Sequence, residues 1–405
     1  MRIPILTMLF GLSALAAGPA DDYIGAQLRV VRGLEAQVPA LTRVADEAAR
    51  ELLAGGRLYL AGERGMVSEL LGRAGGLCGA KRFAGGKTLL AEHDVVLLSD
   101  YGPRQGHPAT PWEVTGGTRA LRILFVSKQH AVFEKPLVRK GRIVGVDIPR
   151  DGCIVRSPEG EAACPATAPA IAIAQWAFTA ELIGACRRNG RQLAVYLSIH
   201  LDQGRRRYQR TKGLLFEPGL KPKPPEPGEY AKAFLGHARQ ALEAIRRDEL
   251  SRIRKAAAWI REARAGRRKV VRHMHAHLPP HEVGVPGDPG CFTHSPRLPL
   301  GDKAIAWMRQ NLAKGDIHLL VGYQQNQDAM AAAANALGAR TIFITSLPPS
   351  REQAANPLHL YVNPHWPLTD ACLELPGYDV KACPLSAICG LTCYYAIAAE
   401  VVAGE

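Results

Sequence analysis

Apolar positions recur along this chain in two alternating rhythms. From Tyr23 to Leu53, residues Ile24, Leu28, Val31, Leu34, Val38, Leu41 and Val44 fall near helical spacing, which predicts a long amphipathic helix kinked or broken at Pro39. Gly55-Gly56 closes it, and the short apolar run at 57–61 predicts a first buried strand. A turn at Gly62-Glu-Arg-Gly leads into a helix over 67–71, closed by Arg73-Ala-Gly-Gly-Leu. Apolar runs follow at 93–101 and 123–127. Then come a hairpin-like stretch from Val138 to Val155, a helix from Ala168 to Cys186 and a last strand from Leu193 to Ile199. Strand and helix alternating at this spacing predict an α/β protein with a parallel sheet covered on both faces.

The pattern then repeats. A second long helix spans Tyr230 to Arg264, Lys269-Val-Val opens a strand, and a Pro/Gly-rich loop precedes a helix from Asp302 to Leu312. Gly315-Asp-Ile-His-Leu-Leu-Val-Gly-Tyr matches the stretch from His93 to Tyr101 in its Asp, Leu-Leu and Tyr. An Ala-rich helix over 329–339 leads to Ile342–Ser346, which matches Ile123–Ser127. At the same offset, Asp151–Glu181 aligns without a gap to Asp370–Glu400, pairing Cys153 with Cys372 and Cys164 with Cys383. These matches predict a tandem duplication. Repeat 1 covers 21–205, a Pro-rich stiff linker 206–229, and repeat 2 covers 230–405.

Composition narrows the partners. With 405 residues, 47% hydrophobic and 22% charged, the chain has the core of a globular protein and room for two or three domains. A formal charge of +14 favours anionic partners such as phosphorylated or acidic small molecules, glycans, nucleic acid or a membrane surface. The basic residues between Arg187 and Lys269 lack interleaved aromatics, and no helix-turn-helix or zinc-finger spacing occurs, so specific nucleic-acid recognition is not expected.

Arg2, the apolar stretch Ile3–Ala17 and its small-residue end read as a signal peptide over 1–20. Cleavage between Ala17 and Asp22 would export the protein to the periplasm or outside the cell, and an uncleaved leader would leave it in the cytoplasm. The leader is too short to span a bilayer, and no other segment predicts a membrane span. Nine cysteines include the repeated eleven-residue spacing. In an exported protein that spacing makes Cys153–Cys164 and Cys372–Cys383 the candidate disulfides.

The long helix, strand and Arg-Ala-Gly-Gly-Leu, the Gly-Asp-x-x-Leu-Leu-x-x-Tyr run, Thr345-Ser346 at a strand end, and Asp370-Ala before a Pro-Leu-Ser helix start carry a likeness. Together they resemble the sugar isomerase (SIS) domain, most of all its uncharacterised phosphosugar-binding members, once per repeat. The resemblance implies two flavodoxin-like three-layer αβα domains with parallel sheets, arranged as a pseudo-dimer within one chain that can pair further as a homodimer.

It also implies a phosphorylated or acidic sugar ligand, held by hydroxyls and amides at the strand ends near helix N-termini. The positions that answer to this are Ser99, Tyr101, Ser127 and Thr167 in one copy. In the other they are Tyr323, Gln324, Asn326, Thr345, Ser346 and Ser386. All are expected to line one cleft where the strand ends of the two repeats meet.

Two readings stand: a sugar-binding module without catalysis, and an aldose–ketose isomerase with a general base. Glu69, His273 and His275 are the candidates for that base. His273, His275, His277 and His281, alternating at a strand end, suit a divalent metal such as Zn²⁺, the one cofactor the sequence suggests. Glu181 and Glu400, late in matched helices, read as structural.

Overall fold

The computed structural model describes residues 18–85, 88–101, 119–129, 141–199, 201–294, 300–323 and 327–404. The apolar leader over 1–17, Gln324 and Asn326 lie outside the described residues. The first half opens with two helices, α1 (Pro19–Glu35) and α2 (Val38–Leu53). The expected single helix is broken at Ala36–Gln37, because Pro39 lacks an amide hydrogen and sits best in a first turn. Strand β1 (Leu58–Gly62) leads to α3 (Arg64–Leu70) and a short β2 (Lys81–Arg82). Next come β3 (Val95–Ser99), β4 (Leu121–Ser127) and β5 (Gly141–Val146). A hairpin of β6 (Cys153–Arg156) and β7 (Ala162–Pro165) delivers the chain to α4 (Thr167–Arg188).

The connector carries α5 (Asp202–Thr211). The second half opens with α6 (Glu229–Ala244) and α7 (Leu250–Ala265), joined by a π-helical turn over Ile245–Glu249. Its strands are β8 (Val270–Met274), β9 (Thr293–His294), β10 (Ile317–Val321), β11 (Arg340–Ile344) and β12 (His359–Val362). Helices α8 (Asp302–Asn311), α9 (Asp328–Ala336) and the single turn α10 (Arg351–Ala354) connect them. A hairpin of β13 (Ala371–Leu373) and β14 (Ala382–Pro384) then feeds α11 (Ser386–Val402).

Both sheets are parallel, with order β2-β1-β3-β4-β5 in the first half and β9-β8-β10-β11-β12 in the second. Each is the flavodoxin order 2-1-3-4-5, so the fold is α/β with two flavodoxin-like units. One carboxylate per half fixes the strand starts. Asp94 accepts the amides of Arg57 at 2.8 Å and Ala91 at 2.8 Å, while its own carbonyl takes the amide of Leu121. Asp316 does the same for Lys269 at 3.0 Å, Ala313 at 2.9 Å and Arg340. Three strands are thereby aligned by one buried acid, which is why an aspartate precedes the apolar run in both halves.

The halves share one core. Helix α1 packs on α11, α6 packs on α4, and α4 meets α11. Each of the two long helices also ends the other half's opening. Glu400 accepts the amide of Ala20 at 3.2 Å, and Glu181 accepts the amide of Gly228 at 2.9 Å. A carboxylate at a helix N-terminus satisfies an orphan donor and opposes the positive end of the dipole, so the structural reading of both residues agrees with this geometry.

Helix α4 is long and apolar enough to cross a membrane, but all of its apolar window is buried within the protein, as in a core helix. Four local expectations need correction. The segment 193–199 forms only isolated bridges, Leu77–Val195 and Leu193–Phe216, because no neighbouring strand runs long enough to pair it. The hairpin lies at 153–165, and β5 is a parallel edge strand. The linker is not extended throughout: α5 anchors it through Arg207, which is buried against Glu217 and Asp379. All nine cysteines are free thiols. Cys372 directs its sulfur to the carbonyl of Cys383 at 3.2 Å instead of bonding to that residue's sulfur.

Candidate functional site

Two junctions form where the halves dock, and they are built alike. The loop after α3 lays the carbonyl of Gly75 on the amide of Cys383 at 2.9 Å, and the loop after Pro279–His281 lays the carbonyl of Gly287 on the amide of Cys164 at 2.9 Å. Both cysteines reach out because their backbones are left-handed, with φ of 60° at each. Both loops carry left-handed glycines at matching places, Gly72 and Gly75 in one, Gly284 and Gly287 in the other. A Cβ at Gly75 would fall 2.8 Å from that of Ala371, and one at Gly287 would fall 2.3 Å from Cys153 Sγ, so only glycine permits this approach.

The hairpins match too, but one residue out of step with the ungapped alignment. The amide of Ala166 donates to the carbonyl of Gly152 as that of Leu385 does to Asp370, and Gly152 and Asp370 are both left-handed, with φ of 75° and 63°. Gly152, not Asp151, is therefore the counterpart of Asp370, and Cys153 that of Ala371. Counting back from the glycines, Val285 is the counterpart of Arg73 and His281 that of Glu69.

The first junction is closed by charge. Arg73, 2% exposed, donates to Asp370 Oδ2 at 2.5 Å and to Ser386 Oγ at 2.6 Å, and pairs with Glu69 on its other side. Asp370 also accepts the Ser386 amide at 2.9 Å, the Ser386 hydroxyl at 3.1 Å and the Tyr323 hydroxyl at 2.8 Å. Glu69 accepts the Trp176 indole N–H at 3.1 Å. Burial pushes the Glu69 carboxyl above its ordinary range, although Arg73 pulls it back. The carboxylates beside Arg73 more than offset the burial of its guanidinium and hold it firmly charged. His277 lies alongside with Nδ1 3.1 Å from the Ser68 carbonyl, and burial, then the charge of Arg73, depress it to about 4.

The second junction is open. It holds a cavity of about 720 Å³ beside Asp151, Cys153, Pro286 and Gly287. Thr167, the first residue of α4 and the counterpart of Ser386, lines it with Tyr101, Gln129, Arg150, Arg156 and Glu282. Arg156 holds Asp151 at 2.5 Å on one rim. Glu282, 2% exposed, reaches in past Gly65, where a Cβ would lie 3.5 Å from its Oε1.

The structure distributes the expected site residues. Tyr101 and Thr167 face the open cavity. Ser127 stands one step behind, donating to the Ile148 carbonyl at 3.1 Å and accepting the Gln129 amide at 3.2 Å. Ser99 is buried at 3.5 Å from the Ala61 carbonyl. Tyr323, Ser386 and Glu69 belong to the closed junction. Thr345 donates to the Leu347 carbonyl at 3.0 Å, and Ser346 lines a separate cavity of about 450 Å³ with His237 and His365.

The four histidines do not converge. Strand β8 ends at Met274 and Ala276 turns left-handed at φ 88°, so the alternation that would align three imidazoles is lost. His273 lies in the strand with its ring 5.8 Å from that of His318, the backbone of His275 pairs with Val321, and His281 ends the 3₁₀ turn. Among the described residues no group of three or more His, Cys, Asp or Glu is gathered to hold a metal ion.

No family model matches the chain, and no curated protein does. Among solved structures, the C-terminal domain of glucosamine-fructose-6-phosphate aminotransferase from Francisella tularensis is similar in arrangement, at 9% identity and a TM-score of 0.45. The likeness covers 93% of this chain and 96% of that one. At that score it carries no functional weight, and the fold assignment rests on the strand order.

Arg73, Asp370, Arg150 and Arg156 stood outside the expected site. Arg73 and Asp370 occur in the motifs that carried the resemblance, while Glu282 was read together with the four histidines and lines the open cavity instead. Arg150 and Arg156 flank the shifted hairpin, where only the matched cysteines drew notice.

Proposed function

We propose that this protein binds a phosphorylated or acidic sugar in the open cavity between its halves. One observation carries the reading: the 720 Å³ cavity lies beyond the carboxyl ends of a parallel sheet and is lined by two arginines and the first residue of a 22-residue helix. In open α/β sheets that edge is where ligands lie, and a helix N-terminus with nearby guanidinium groups favours an anion. The likeness of the motifs to phosphosugar-binding SIS proteins supports the sugar half of the ligand. Of the two helix-start hydroxyls expected to hold the ligand, Thr167 lines this cavity, while Ser386 is held by Arg73 and Asp370.

Isothermal titration with glucose 6-phosphate, 6-phosphogluconate, glucuronate and, as the neutral control, glucose tests this. The anionic sugars should bind and glucose should not. Thr167→Ala should weaken binding by roughly 1 kcal/mol and Arg150→Ala by more, since its contact is charge-assisted. No heat at millimolar ligand, or equal affinity in both variants, would overturn the reading.

A further inference from the structure

We propose that the connector helix α5 and the turns at its two ends form a docking surface for an anionic lipid membrane. Helix α5 is pinned to the protein by one face. Gly204 lies so close to Ser198 that a Cβ would fall 1.9 Å from its carbonyl oxygen. Arg207 is buried, donating to Glu217 at 2.9 Å and Asp379 at 3.0 Å, and Thr211 is buried 3.5 Å from the Cys78 sulfur. Positions 204, 207 and 211 share one side of a helix, which leaves Arg205, Arg206, Gln209 and Arg210 on the other, and all four are exposed. Lys212 follows at the helix end, also exposed. From 199 to 214 the one acid is Asp202, which Arg205 engages.

Apolar side chains bracket these cations. Among the described residues five large apolar side chains are exposed, and three of them stand here. Ile199 and Leu201 come just before α5, and Leu214 comes just after it. A helix of ten residues is about 15 Å long, so the cations lie between two apolar ends. Guanidinium groups match lipid phosphates in charge and in bidentate geometry, and aliphatic side chains beside them can enter the boundary of the acyl layer. Cations and apolar anchors reinforce each other at such a surface. A nucleic acid would use the cations but has no place for the aliphatic chains. It would also favour exposed aromatics, whereas Tyr208, the aromatic of α5, is stacked on Tyr196 at 5.6 Å.

Co-sedimentation of the full chain with phosphatidylcholine vesicles, with and without phosphatidylglycerol, tests the assignment. The protein should pellet with the anionic vesicles alone and be released at about 1 M salt, where the screening length falls to about 3 Å. Replacing the outward cations together (Arg205→Gln, Arg206→Gln, Arg210→Gln) should weaken binding at least about tenfold. Replacing the apolar bracket together (Ile199→Ser, Leu201→Ser, Leu214→Ser) should weaken it several-fold, with thermal melting of both variants unchanged because the six side chains are exposed. No pelleting with anionic vesicles, or full binding by the glutamine variant, would overturn the proposal. Full vesicle binding by the serine variant, with duplex DNA held as tightly, would mark a general polyanion surface and overturn the lipid assignment.

Discussion

Replacing Arg73 with methionine tests the closed junction most severely. The substitution keeps volume and chain length but removes the cation that, among the described residues, is bonded to Asp370; the Ser386 amide, the Ser386 hydroxyl and the Tyr323 hydroxyl still donate to it. Glu69 keeps the Trp176 indole N–H, which donates to it at 3.1 Å. Breaking a buried pair from one side costs about 3–5 kcal/mol, because the other charge stays buried and uncompensated. That is a large part of a typical domain's stability of about 5–15 kcal/mol.

The pH dependence has a definite sign. Burial already lifts the Glu69 carboxyl and Arg73 opposes the lift, so without Arg73 the folded-state pKa rises further above the unfolded value. The native variant then holds a proton that its unfolded chain has lost, and stability falls as pH rises through that window, by up to about 1.4 kcal/mol per pH unit. Urea unfolding of wild type and Arg73→Met at pH 6 and pH 8 should show a loss of several kcal/mol, larger at pH 8. A loss below about 1 kcal/mol, or one equal at both pH values, would refute the account of the junction.

Other consequences are simpler to test. His318 is fully buried with neither ring nitrogen bonded, so His318→Leu should raise stability by about 1–3 kcal/mol at pH 8 in urea unfolding. Burial and then the charge of neighbouring His273 depress His318 to about 3, well below the unfolded value near 6.5. The unfolded wild type therefore takes up a proton first as pH falls, and the advantage of His318→Leu should widen by about 1.4 kcal/mol per unit between pH 6.5 and 4; a constant gap would show that the ring is protonated in the fold. The nine thiols should all label after denaturation without reductant, and peptide mapping that finds Cys153 joined to Cys164 would contradict the fold around the hairpin.

Much of the fold was legible because the period of each segment reports its own environment. The all-buried runs of β3 and β10 are apolar apart from Ser99 and His318, and the aspartate before each is the residue that latches three strands. Pro39 announced the break between α1 and α2. The junctions were less legible. Arg73 and Asp370 are 297 residues apart, and nothing local signals that they meet. The ungapped alignment matched Asp151 to Asp370 by residue type, whereas backbone hydrogen bonds match Gly152, because a one-residue difference between the hairpins shifts the pairing before the helices realign. His318 reads as one polar letter in an apolar strand and carries no hint that it is bonded to nothing.

We propose the open junction, with Thr167, Arg150 and Arg156 on its wall, as the place of an anionic sugar. A crystal structure of the protein soaked with 6-phosphogluconate tests it directly. The acid groups should lie in the 720 Å³ cavity, against the first turn of α4 and the two arginines. Ligand found instead beside Ser346 in the 450 Å³ cavity, or displacing Arg73 from Asp370, would contradict it.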